Sequence, residues 1–301
     1  MRIAVLAAAV LLLAGCQLPE RSADRAVTVP HAQGETVVER TPARVVALGA
    51  QWTDATIAMG VTPVGLLADP AGTAPPWRPT TGSTTAVDPA KPLGYQVKEL
   101  RPELILLEGP AAAPSTYLEL TAIAPTIPAL TAGPVGDWRD QVRALGAVLR
   151  EPDAAAEVIA AVDRGIERAS APGRTVAVAW LAGPGQLIAV TDPAAPALAL
   201  FTRLGMRLPD TLAGLPADQG RAVLPVDRLA ELDADLLVLA HSPRAGLDAT
   251  ALPGYGELGA ARNDTAVLLD PVELAGLEYP TALSVPFLLQ RLEPALRRAA
   301  G

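Results

Sequence analysis

Cysteine and histidine are scarce: the 301 residues include one Cys, Cys16, and two His, His31 and His241. That excludes an internal disulfide, and with three such residues in all, scattered along the chain, a zinc or iron centre would have to recruit carboxylates. Positive charge is short as well. Twenty-four Lys and Arg stand against 32 Asp and Glu, a net charge of −8, so no chain-wide basic surface exists to hold a phosphate backbone. Nucleic acid is thereby excluded as a partner. Aromatic residues make up 3% of the chain. Enzyme signatures fail in turn: there is no Gly-x-Ser-x-Gly elbow, no His-Glu-x-x-His and no Walker loop, and Gly183-Pro184-Gly185 is followed by Ile188 where a dinucleotide fingerprint has its third glycine. A lone His241 behind an apolar run could act as a general base, but nothing around it names a reaction, and the chain reads as a non-enzyme. What remains is 50% apolar, enough to bury one large core or two smaller ones.

The N-terminus carries the compartment signal. Arg2 precedes an apolar run, Ile3 to Leu13, of 11 residues, whereas a membrane span needs roughly 20. It ends in Leu13-Ala14-Gly15-Cys16. This resembles a bacterial lipobox, which implies a signal peptide over residues 1–15, lipidation of Cys16 and a membrane-anchored protein facing the periplasm or cell surface. Residues 16–42 are polar and lack clear periodicity, and they are expected to form a flexible tether.

From Arg44 onward, short apolar strands alternate with helical stretches, the pattern of an α/β protein. Val45 to Leu48 reads as a strand, Asp54 to Met59 as a helix with Thr53 or Asp54 as its cap, and Val64 to Leu67 as the next strand. The block Glu99 to Leu107 is echoed 132 residues later by Glu231 to Leu239, and Val45-Val46-Ala47-Leu48 has a counterpart at nearly that offset in Val176-Ala177-Val178-Ala179. Two related lobes follow from this, residues 43–136 and 172–301. Between them, over 137–171, Trp138, Val142, Leu145 and Leu149 and then Ala155, Ile159, Val162 and Ile166 recur at helical spacing. The stretch from Pro152 to Ser170 is expected to be one stiff helix joining the lobes, so that they close only a little.

Several blocks in order resemble ABC-transporter solute-binding proteins for ferric siderophores, haem and cobalamin: Arg44 to Leu48, Met59 to Gly65, Glu99 to Leu107, Ile123-Ala124-Pro125-Thr126, Trp138-Arg139, Val226-Asp227-Arg228-Leu229 and Thr281-Ala282-Leu283-Ser284. The resemblance implies two Rossmann-like α/β lobes with central sheets joined by one long helix. It also implies a monomer that captures a ferric siderophore, closest to the ferric hydroxamate and dicitrate type, and delivers it to a membrane permease. The chelator saturates the iron, so no cofactor and no protein-coordinated metal are expected. Haem or cobalamin binding on the same fold, or a non-transport envelope lipoprotein that binds a protein, are the alternatives. A carboxylate on each lobe would dock the permease: Asp227 in the second lobe, and in the first Glu99, because Tyr95 stands at the corresponding position. Asp227 could instead cap a helix.

Ligands of open α/β sheets sit outside the carboxyl ends of the strands. In the first lobe the loops there offer Gln51, Trp52, Trp77, Arg78 and Lys91; in the second they offer Trp180, Arg221, His241, Arg244 and Tyr279. The tryptophans and the tyrosine provide flat area for chelator groups and the cations a partner for residual negative charge. Trp52, Arg78, Arg244 and Tyr279 are expected to line one cleft from both lobes; core packing is the competing role for the tryptophans and solvation for the arginines.

Overall fold

The computed structural model describes residues 25–69, 74–80, 82–133, 135–242 and 245–301. The lipobox with Cys16, and Arg244 among the expected ligand contacts, lie outside the described residues.

The domain begins earlier than expected. Part of the stretch read as a tether forms a hairpin, β1 (Val27–His31) against β2 (Gly34–Val38), with His31 opposite Gly34 at the turn. Inward and outward residues alternate, and Val29 and Val38 are buried against the first lobe. The Thr36 hydroxyl donates to the Thr126 carbonyl at 2.6 Å, and the Ala32 N–H donates to the Ala129 carbonyl at 3.1 Å. With Thr36 Oγ1 committed as a donor, His31 Nε2 donates to it at 2.9 Å, while His31 Nδ1 accepts from the Gln33 N–H. This ring is a neutral tautomer, and burial holds its pKa below the usual histidine range.

The first lobe follows as β3 (Val45–Leu48), α1 (Ala50–Ala58), β4 (Gly65–Leu67), β5 (Thr85–Val87), α2 (Leu93–Glu99), β6 (Leu104–Leu107), α3 (Pro114–Thr121) and β7 (Thr126–Ile127). Its sheet is wholly parallel, in the order β5-β4-β3-β6-β7. Helices cover both faces, which is why Val45–Leu48 and Leu104–Leu107 are uninterrupted apolar runs, buried at every position.

The expected connector resolves into two helices of different allegiance. α4 (Trp138–Leu149), capped by the Asp137 side chain, packs on α1 and β1 and belongs to the first lobe. Arg150 turns the chain in the left-handed conformation, and α5 (Pro152–Arg168) crosses between the lobes. At one end of α5, Ala155 leaves no room for a side chain at Gly146 of α4; at the other, Gly165 lies against Leu289.

The second lobe contains β8 (Val176–Gly183), β9 (Gln186–Val190), α6 (Pro196–Arg203), α7 (Asp210–Ala213), β10 (Arg221–Pro225), β11 (Leu236–Ala240), α8 (Gly259–Arg262), β12 (Ala266–Leu269), α9 (Pro271–Glu278) and α10 (Ser284–Ala300). Its sheet runs β10-β9-β8-β11-β12, with β8, β11 and β12 parallel and β9 and β10 antiparallel. The sequence echo now has a structural meaning. Val45 pairs with Leu104 in one sheet and Val176 with Leu236 in the other, so both repeats fall on the central strand pair of their lobe. The lobes diverge at the sheet edge, where an antiparallel β9–β10 replaces the parallel β4–β5.

One apolar core runs from the hairpin and the α1 face of the first sheet through α4, α5 and α10 into the second sheet; a smaller core fills the α2–α3 face. Fully burying a valine contributes about 1.5–3 kcal/mol. A chain started at Ala43, which lacks the hairpin, is therefore expected to lose roughly 3 kcal/mol or more in urea unfolding, whereas a true tether could be cut away without effect.

Candidate functional site

The N-terminal lobe meets the α9–α10 turn of its partner lobe around a charge that water does not reach. Asp54 lies mid-helix in α1 and is fully buried. Its Oδ1 accepts from Arg78 Nε at 2.8 Å, and its Oδ2 accepts from Trp77 Nε1 at 2.9 Å and from the Thr281 hydroxyl at 2.7 Å. Three donors, one of them a guanidinium, satisfy a carboxylate that burial alone would make costly. Thr281 arrives from the other lobe with its geometry fixed: its Oγ1 accepts from the Ser284 and Leu283 N–H groups, and Ser284 Oγ accepts from the Thr281 N–H. Trp77 continues across the interface. It lies 5.7 Å from Phe287 of α10, ring centre to ring centre, and a Cβ on Gly276 of α9 would come within 2.8 Å of it.

Beside this cluster, a second carboxylate closes the start of α1. Glu108, directly after β6, accepts from the Gln51 N–H at 2.5 Å and from Gln141 Nε2 at 3.0 Å. Gly49 precedes α1 with φ +156°, and any Cβ there would fall 2.1 Å from Glu108 Cγ. Only glycine permits the approach. Burial pushes the Glu108 carboxyl up to about 7, with the Asp54 charge adding to the rise, against the lowering effect of its bonds from Gln51, Gln141 and Trp52. Gln51 then spans the lobes, its Nε2 donating to the Pro280 carbonyl at 2.8 Å and to the Gly136 carbonyl at 3.2 Å.

A cavity of about 440 Å³ opens between the lobes, where Gly136 to Arg139 face α6, the preceding Pro193-Ala194 turn and Pro280. It is mainly apolar. Arg139 and Arg203 on its wall share Asp163, at 2.5 and 2.9 Å. Burial raises the Asp163 pKa, and the hydrogen bond from Arg139 with the charges of Arg139 and Arg203 outweighs that, leaving it below the usual range. Near Pro280 stands an aromatic and charged corner. Arg221 packs over the Trp180 ring at 5.2 Å and pairs with Glu278, the residue before the half-exposed Tyr279.

The expected ligand residues thus divide. Trp52 is wholly enclosed in the core, Gln51 is buried, and Trp77 and Arg78 are engaged by Asp54, so these four build the joint between the lobes. Asp54 is no helix cap: α1 begins four residues before it, and Glu108 binds the start of the helix from another loop. Trp180, Arg221 and Tyr279 stay accessible. Lys91 is exposed in an ion pair with Asp88 behind the edge strand β5, and His241 sits behind β11, its Nδ1 accepting from the Ala249 N–H and 3.6 Å from Asp248. Asp54, Glu108, Glu278, Thr281, Arg139 and Arg203 escaped the ligand reading. A signal existed for two of them: Glu108 interrupts an apolar strand end, and Asp54 falls inside a helix whose neighbours are buried.

Asp54→Asn is expected to destabilise the protein by about 3–5 kcal/mol in urea unfolding, because it strands Arg78 without a counter-charge. Lys91→Ala, which removes one partner of an exposed pair, should change stability by less than about 0.5 kcal/mol.

Comparison with known proteins agrees with this architecture. The chain is 30% identical over 168 residues to the probable siderophore-binding lipoprotein YfiY of Bacillus subtilis, covering 52% of this chain and 50% of that protein. It thus spans about half the length of that curated relative. A periplasmic solute binding protein from Mycobacterium smegmatis superimposes with a TM-score of 0.73 at 24% identity, over 92% of this chain and 99% of the other. The petrobactin-binding protein YclQ of Bacillus subtilis does so with 0.72 at 17% identity, over 90% and 98%. At these identities the superpositions establish the two-lobed fold. The Periplasmic binding protein family profile matches residues 95–272, more than half of the chain, from α2 through the crossing helix into α9, and the chain belongs to that family.

Proposed function

We propose that this chain is the solute-binding lipoprotein of an ABC importer, which captures a ferric siderophore between its lobes and delivers it to a membrane permease. The observation that carries the reading is the corner formed by Trp180 and Arg221, with the half-exposed Tyr279 next in the chain to the Glu278 that pairs with Arg221. An indole carrying a half-exposed guanidinium offers a flat apolar face and a planar cation together, which suits the planar, anionic groups that chelators retain around iron. Glu278 neutralises Arg221 until a ligand anion replaces it. The metal travels as cargo inside its chelator. The siderophore-binding name of the Bacillus subtilis relative supports the ligand class, and its lipoprotein name supports anchoring through Cys16 on the extracytoplasmic side. No helix among the described residues is long and apolar enough to cross a membrane.

Titration of the apo-protein with a panel of ferric siderophores, haem and cobalamin tests the reading. A ferric siderophore is expected to quench tryptophan fluorescence, and Arg221→Ala to weaken binding at least about tenfold, or ~1.4 kcal/mol, without lowering the melting temperature. A Soret band with haem, and no response to any ferric siderophore, would redirect the proposal to the haem branch of the fold.

Docking carboxylates fit Asp227 and Glu99. Both are exposed, Glu99 at the end of α2 and Asp227 inside a short 3-10 turn, Val226–Leu232, that starts behind Pro225. Asp227 is not at the cap position of that turn, which removes its competing role. The double change Asp227→Asn with Glu99→Gln is expected to abolish uptake in cells while melting temperature and ligand affinity stay at wild-type values; undiminished uptake would remove both residues from the docking surface.

A further inference from the structure

We infer that Glu108 is a positioning residue whose protonation state sets the grip of one lobe on the other, acting through Gln51. The path is short and continuous. Glu108 Oε1 takes the Gln51 N–H at 2.5 Å, and the Gln51 side chain donates to the Pro280 carbonyl at 2.8 Å, next to Thr281, which is itself bonded to Asp54. Any movement of Glu108 away from α1 therefore breaks a bond held by the residue that spans the lobes.

Two features of the geometry let this carboxyl hold a proton when the joint is closed. The buried Oε1 of Gln141 has no hydrogen-bond partner, while the amide's Nε2 donates to Glu108 Oε2 at 3.0 Å. Amide oxygen and nitrogen exchange places by a simple flip, so Gln141 can accept from a protonated Glu108 as well as donate to an ionised one, its other end being unpartnered in either case. The second feature is the company Glu108 keeps. From α1 it faces the carboxylate of Asp54 and the N–H groups of Gln51 and Trp52, and from α4 the neutral Gln141; Arg78, the nearest cation of this cluster, is engaged by Asp54. Among the described residues no cation pairs with Glu108, in keeping with a pKa of about 7.

The sign follows. A carboxyl raised from 4.5 to about 7 in the closed joint binds a proton there that it releases on exposure to water, so closing is favoured below pH 4.5. The advantage falls as pH rises from 4.5 to about 7 and stays low above it. The effect on a ligand held between the lobes rests on the siderophore proposal, but the joint itself does not, and the test uses no ligand.

Amide hydrogen exchange of the intact protein, corrected for intrinsic rates, reads the opening of the Thr281–Ser284 turn directly. In the wild type the opening equilibrium is expected to rise at least about tenfold between pH 5 and 8 and to level off above 7. Glu108→Gln should flatten the profile, and Gln51→Ala should keep the pH step at the start of α1 but lose it at the turn. A flat wild-type profile would overturn the inference without recourse to any variant, as would a step that survives in Glu108→Gln. A step that persists at the turn in Gln51→Ala would remove Gln51 as the carrier. A pH-dependent turn beside unchanged siderophore affinity would leave the switch standing and separate it from binding.

Discussion

Everything at the junction of the two lobes answers to one requirement, that the Asp54 carboxylate be fully paired where water cannot reach it. An isolated charge in that position would cost many kcal/mol, so each oxygen must find donors, and three are supplied by two chain segments far apart in sequence. The consequences spread outward. Trp77 must enter the interface to donate, which demands a residue without a side chain at position 276. Thr281 must present its hydroxyl toward α1, which the reciprocal bonds with Ser284 enforce. A buried pair of this kind adds little net stability over apolar packing, but it is intolerant of misalignment, since a small shift leaves a charge unpaired. It fixes the relative placement of the lobes more sharply than their apolar contacts would.

That constraint bears on how the molecule can move. Two lobes joined by loops can swing through wide angles because few contacts change between open and closed. Here α5 crosses as a single helix, and the main core passes without a break from one lobe to the other. Opening widely would expose apolar surface at about 25 cal/mol per Å² and break the Asp54 bonds together, so the accessible motion is a small adjustment about a packed joint. A binding surface in such a protein has to be largely preformed, consistent with an arginine already seated on Trp180 and held by Glu278.

Much of this was legible in the residues, for reasons that also mark the limits of reading them. Strands buried on both faces give unbroken apolar runs, so Val45–Leu48, Leu104–Leu107 and Leu236–Ala240 stand out, and the crossing helix shows its period in Ala155, Ile159, Val162 and Ile166. The β1–β2 hairpin did not, because its strands carry only alternate buried residues and its turn includes no strong hairpin dipeptide. The site was harder still. Gln51, Trp52, Trp77 and Arg78 do fall in segments near strand ends, as a ligand site requires, but strand ends also form the joint between lobes. What separates the two roles is a hydrogen bond to a residue 227 positions away, which no local pattern encodes. Asp54 misled for the opposite reason: an aspartate near a helix start satisfies the rule for a cap, and the actual stopper, Glu108, comes from a different strand.

The two carboxylates at the joint also bear on where the proposed binding surface can lie. Both reach the first lobe's strand ends, where an anionic ligand would be repelled by any unpaired negative charge. Arg78 cancels one, and burial without a counter-ion favours the neutral form of the other. The joint is thereby electrostatically quiet on the first lobe's side despite a chain with an excess of acids, and Arg78 is consumed in making it so. Attraction for an anion must then come from the second lobe or from the cavity rim. Among the described residues the half-exposed Arg221 and Arg203 stand there, each held by a partly solvated carboxylate that a ligand anion can displace, whereas Arg139 of α4 is itself buried. Charge that fixes the fold is buried and matched in the first lobe, while Arg221 and Arg203 of the second lobe keep theirs near solvent, where the proposed ligand could reach it.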